Sequence, residues 1–152
     1  MSLHLTLSAE TASLRDLSEL RLQARFENRG KKPLSAVIDA TPLSHGTYRV
    51  EFRDARGGPV DLEQFGMCGM MSPLLEHEIF LVEAGGVVST PVHGARSSGL
   101  PPGDYAVRVT YGAHASRHGE ESWTPVVKER LKHFWAGTLV SDWVPFTIRS
   151  KS

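Results

Sequence analysis

Leu100-Pro101-Pro102-Gly103-Asp104-Tyr105-Ala106-Val107-Arg108-Val109-Thr110-Tyr111 joins a proline-glycine turn to a strand. Alternation with a period of two puts Tyr105, Val107, Val109 and Tyr111 on one face and Ala106, Arg108 and Thr110 on the other. A tyrosine just after such a corner buries its ring between two sheets, while its hydroxyl returns to the backbone a few residues upstream. The stretch therefore predicts an antiparallel β-sandwich with Tyr105 at its rim.

The same periodicity recurs to both sides of this corner, each time bounded by glycine, proline or asparagine. Leu3, Leu5 and Leu7 alternate with His4 and Thr6. Leu20, Leu22, Ala24 and Phe26 alternate with Arg21, Gln23, Arg25 and Glu27, a strand with one apolar and one charged face that stops at Asn28-Arg29-Gly30. A weaker strand covers Ala36 to Ala40. Tyr48, Val50 and Phe52 alternate with Arg49, Glu51 and Arg53 and end at Gly57-Gly58-Pro59. Val60 and Leu62 begin a short edge strand, Phe65 to Ser72 reads as loop, and Glu78 to Val82 and Val87 to Val92 are two strands separated by Ala84-Gly85-Gly86. The last strand runs from Leu139 to Ile148; its apolar parity shifts between Leu139 and Val144, which predicts a bulge near Ser141 to Trp143 and tolerates Pro145 beside it.

One segment breaks the pattern. In Trp123 to Trp135, Thr124 is placed to cap a helix with Pro125 in its first turn, and Val127, Leu131, Phe134 and Trp135 then share one helical face. Gly137 supplies the stop. Seven to nine short strands with a single helical insertion before the last strand describe an all-β chain, and no βα alternation competes.

A length of 152 residues with no linker suits one domain, residues 1–152. Seventeen basic residues balance seventeen acidic ones, so no long-range field draws the chain to nucleic acid or to an anionic membrane. Cys68 is the one cysteine, which excludes an intrachain disulfide and fits a reducing compartment. Met1 to Leu7 alternates instead of forming an apolar run after basic residues, and no later run is long enough to span a bilayer. A cytoplasmic protein is expected.

The order of these signals, from Phe26-Glu27-Asn28-Arg29-Gly30 through Tyr48-Arg49-Val50-Glu51-Phe52-Arg53-Asp54 and the Leu100 to Tyr105 corner to the final strand, resembles bacterial immunoglobulin-like domains, nearest to the intracellular proteinase inhibitor type. The resemblance covers most of the chain and implies an immunoglobulin-like sandwich. In the related chagasin-type inhibitors, loops at one end of the sandwich enter a cysteine-protease cleft. This sequence lacks their Asn-Pro-Thr-Thr-Gly and Arg-Pro-Trp loops, so no inhibitory residue carries over.

Chemistry-bearing residues are sparse. Met67, Cys68, Met70 and Met71, with His77 following, offer soft sulfur ligands suited to Cu(I), with Gly69 letting them converge; the competing role is to plug the base of a loop, since methionine fills gaps and cysteine packs as a small hydrophobe. His114 and His118 stand at helical spacing in a segment that reads as a loop, where solvated histidine is the ordinary outcome. Neither a nucleophile elbow, a phosphate-binding glycine loop nor a metalloprotease helix motif occurs, so no enzymatic activity and no cofactor are expected.

Trp123, Arg130, Phe134 and Trp135 carry the binding expectation, because interface hot spots favour tryptophan and arginine and binding residues concentrate on loops of a rigid sandwich. The competing role is to cap an open end of the core, to which Trp135 is assigned first, with Trp123 balanced between the two. The expected function is a non-enzymatic protein-interaction module, monomeric or weakly dimeric, contacting another protein through end loops, above all the connection from Gly112 to Gly137. Soft-metal binding through the Met67 to Met71 segment is the runner-up, followed by protease inhibition.

Overall fold

The computed structural model describes residues 3–37, 46–60, 79–92, 100–113, 121 and 123–150. In chain order these form β1 (Leu3–Ala9), β2 (Ser13–Leu14), β3 (Leu22–Asn28), β4 (Leu34–Val37), β5 (Gly46–Asp54), β6 (Pro59–Val60), β7 (Ile79–Val82), β8 (Val87–Val92), β9 (Gly103–Ala113), α1 (Pro125–Leu131), β10 (Gly137–Val140) and β11 (Val144–Ile148). Among the described residues the chain is all-β with one short α-helix. The strand expected from Leu20 starts at Leu22, because a single 3-10 turn, Leu17–Glu19, precedes it; Asp16 caps this turn and the Leu20 N–H closes it on the Leu17 carbonyl at 3.0 Å. Of the strand expected over Ala36 to Ala40, only the part inside β4 lies within the described residues.

One sheet has the order β1-β3-β8 and another the order β2-β11-β9-β5-β6, with β10 also paired to β9. Among the described residues the strands of these two sheets pair antiparallel, except for the short parallel pairing of β2 with β11. Leu22, Ala24 and Phe26 of β3 and Val50, Phe52, Tyr105, Val107, Val109 and Tyr111 of β5 and β9 are buried in one shared core, as their alternation predicts. The rings form two groups along it. Phe146 stacks on Tyr105 at 5.7 Å and meets Phe52 edge-on at 6.1 Å, while Phe26 meets Tyr111 edge-on at 5.0 Å. The Tyr105 hydroxyl donates to the Pro101 carbonyl at 2.7 Å, the upstream return expected at this corner.

A smaller unit stands beside this core. β4 and β7 pair antiparallel, and α1 packs on them through Val127, which joins Val37 and Ile79 in a second apolar cluster. Thr124 caps α1 by accepting from the Val127 N–H at 3.2 Å, and Pro125 fills its first turn. The helix ends at Leu131, before Phe134 and Trp135, which had been expected on the same helical face. Strand β4 captures the backbone instead: the Ser35 N–H donates to the His133 carbonyl at 2.7 Å, and the Trp135 N–H donates to the Ser35 carbonyl at 3.0 Å. A sheet edge supplies partners that the last turn of a short helix lacks, so the chain leaves the helix there. Gly137 then begins β10 with its Cα against the Trp135 ring; a Cβ at that position would lie 3.0 Å from the indole. Among the described residues no helix is long and apolar enough to cross a membrane.

Candidate functional site

Because Val50 and Phe52 of β5 enter the core, Arg49, Glu51 and Arg53 stand on the opposite face of the same sheet. Cross-strand register puts Glu51 opposite Arg108 of β9. The Arg108 guanidinium donates to one carboxylate oxygen of Glu51 from Nη2 at 2.8 Å and from Nε at 3.1 Å. Both side chains are partly exposed, so the pair organises the surface more than it stabilises the fold.

The bulge expected near Ser141 to Trp143 adds the aromatic component. Val140 of β10 faces Thr110 and Val144 of β11 faces Val107, so Ser141, Asp142 and Trp143 span the distance that β9 covers with Arg108 and Val109 alone. Ser141 holds this extra residue: its N–H donates to the Val109 carbonyl at 2.9 Å, its hydroxyl oxygen accepts from the Val109 N–H at 3.0 Å, and its O–H donates to the Asp142 carbonyl at 3.0 Å. A bulge re-aims the side chain beside it. Trp143 consequently lies over the polar face of the sheet, with the Arg53 guanidinium 4.3 Å and the Arg108 guanidinium 4.6 Å from its ring centroid. Such contacts contribute about 0.5–1 kcal/mol each at exposed positions, and they hold two long cations in fixed orientations.

Arg49, Glu51, Arg53, Pro59, Arg108 and Trp143 line a half-open groove of about 510 Å³. Three arginines against one glutamate leave two positive charges there, on a chain whose formal net charge is zero.

The residues expected to bind a partner are brought together elsewhere. Trp135 is 4 % exposed and stacked on Tyr111 at 6.1 Å, so its ring seals the core. Phe134 touches both apolar clusters, and Trp123 packs on the smaller one while remaining partly exposed. Arg130 is also partly exposed; its Nη1 donates to the Ile79 carbonyl at 3.4 Å and its own carbonyl accepts from the Ser35 hydroxyl. The four residues thus form the strap that fastens α1 and residues 133–135 to β4 and β7. Part of the Gly112 to Gly137 connection, with His114 and His118, lies outside the described residues, as do Met67, Cys68, Met70, Met71 and His77. Among the described residues no cluster of three or more histidine, cysteine, aspartate or glutamate side chains is placed to hold a metal.

No known family model and no curated protein matches this chain. The groove itself was not singled out from the sequence, although its parts were visible: the charged face of β5 and the parity shift before Val144 are both local patterns. Their meeting depends on strand register.

Proposed function

We propose that the chain is a non-enzymatic protein-interaction module built on an immunoglobulin-like sandwich, and that it meets its partner through the groove on the outer face of β5, β9 and β11. The strand orders β1-β3-β8 and β2-β11-β9-β5-β6, sharing one core, and the hydroxyl return of Tyr105 to Pro101 support the immunoglobulin-like architecture. The single observation that carries the binding role is Trp143 stacked with Arg53 and Arg108 at a half-open surface. Tryptophan and arginine are the residues most enriched where interfaces concentrate their energy, and rigid presentation lowers the entropy that binding must offset. The segment after α1, by contrast, commits Trp135 to the interior.

Quantitative affinity capture from cell extract tests this, using the intact chain, Arg53→Glu, and Arg25→Glu as a control on the outward face of β3. Partners bound by the intact chain and by the control are expected to fall by about tenfold or more on Arg53→Glu, as for a charge reversed inside an interface. Identical partner sets for all three proteins would reject the groove as the binding surface.

A further inference from the structure

The groove's charge is arranged with a specific spacing. Arg49, Glu51 and Arg53 alternate outward along β5, and Glu51 is answered by Arg108 across the strand pair. Neither Arg49 nor Arg53 makes an ion pair among the described residues. Among the described residues, two cations without an ion-pair partner therefore stand four residues apart on one face of a strand, about 13 Å at the usual rise of about 3.3 Å per residue, with a neutralised pair between them. They differ in mobility. Arg49 is exposed, whereas Arg53 is partly buried, with its guanidinium held against the Trp143 ring. Stacking on a ring face leaves the in-plane N–H donors of a guanidinium free for a carboxylate, in the fork geometry that suits a two-oxygen acceptor.

We infer, resting on the interaction-module reading above, that the groove takes an extended acidic segment of a partner protein, seating one carboxylate on Arg53 beside Trp143 and a second on Arg49. In an extended peptide, side chains four positions apart point the same way and are separated by the same distance as the two arginines. A single phosphate cannot span that distance. A nucleic-acid strand would place phosphates at closer intervals than the two arginines stand. The segment lies across the sheet face and does not extend the sheet at β6, because Pro59 has no N–H to offer an added strand.

The test is fluorescence anisotropy with a labelled peptide in which glutamate alternates with serine, set against the same peptide with glutamine in place of glutamate. The glutamate peptide is expected to bind about tenfold or more tightly than its glutamine counterpart, with affinity falling as salt rises. Arg53→Glu and Arg49→Glu should each weaken it by about tenfold, while Arg25→Glu leaves it unchanged. Trp143→Phe should retain most of the affinity and Trp143→Ala should lose it, because a phenyl ring still supports the guanidinium. Equal binding of the two peptides, or no loss on Arg53→Glu in a variant whose circular dichroism and melting match the parent, would overturn the inference. So would a single-stranded oligonucleotide or inorganic phosphate that binds through Arg53 more tightly than the glutamate peptide. Partner capture that depends on Arg53 without any affinity for the glutamate peptide would remove the acidic ligand and leave the module reading standing.

Discussion

Tyr48 shows how a single polar atom behaves when two layers close over it. Its hydroxyl lies 2.8 Å from the Thr90 hydroxyl, linking β5 in one sheet to β8 in the other. Burial pushes the phenol up to about 12, with the Thr90 hydrogen bond acting weakly in the opposite direction. Since the folded value lies above the unfolded value of about 10, the neutral phenol contributes its full stability below pH ~10 and loses it as the pH rises toward about 12. Two pH units correspond to about 2–3 kcal/mol. Urea unfolding followed from about pH 9 to about pH 12 should show the wild type losing about 2 kcal/mol more than Tyr48→Phe. Parallel losses in the two proteins would mean that the phenol is solvated in the native state. Asn28 makes the complementary point. It is fully buried, donating from Nδ2 to the Lys32 carbonyl at 2.7 Å and the Val82 carbonyl at 3.0 Å and accepting from the Gly30 N–H at 2.9 Å. From the sequence it reads only as the end of a strand, yet it ties the following turn to β7.

At the scale of elements, the bulge between β10 and β11 and the strap after α1 are both places where backbone partners override local preference. The bulge was legible because one added residue shifts the apolar parity from Leu139 to Val144. Its fastening was not, because Ser141 is an ordinary serine until Val109 lies opposite it. Ser141→Ala leaves the Val109 N–H buried without its acceptor, which should cost about 1–3 kcal/mol in chemical unfolding. It should also free Trp143, so that glutamate-peptide affinity drops along with stability. A loss of stability with the peptide bound as before would separate the bulge from the groove. The helix start was legible from Thr124 and Pro125, whose capping chemistry is local. The helix end was not, since Ser35, which captures the chain there, lies far away in sequence.

Across the whole molecule, Tyr111 is the joint between the main core and the smaller unit. Its ring contacts Phe26 and Trp135, and its hydroxyl donates to the Val37 carbonyl at 2.6 Å and accepts from the Val37 N–H at 3.1 Å. One side chain thereby satisfies both backbone groups of a buried residue in β4. Tyr111→Phe keeps the ring and removes both bonds, with an expected cost of about 2–4 kcal/mol. Hydrogen exchange should then accelerate first at Val37, Ile79 and Val127, ahead of Val107 and Val109, as the β4, β7 and α1 unit loosens from the core. Uniform acceleration along the chain would show that the two clusters unfold as one. The mixed-sign charge that argued against nucleic acid as a partner holds for the chain as a total, while the groove concentrates positive charge locally. Composition averages over surfaces and so hides such segregation.

Short-range chemistry wrote much of this protein into its sequence. Alternation marks which faces of β3, β5 and β9 enter the core, the proline-glycine corner aims Tyr105 back at Pro101, and Thr124 starts α1. Each depends on residues within a few positions of one another, where side-chain direction follows directly from backbone period. Tertiary structure alone decided that Arg53 of β5, Arg108 of β9 and Trp143 of the bulge meet at one groove, and that Ser35 of β4 captures the chain after α1. Those outcomes rest on the register between strands distant in the chain, and register emerges only when the sheets pair and their apolar faces close together.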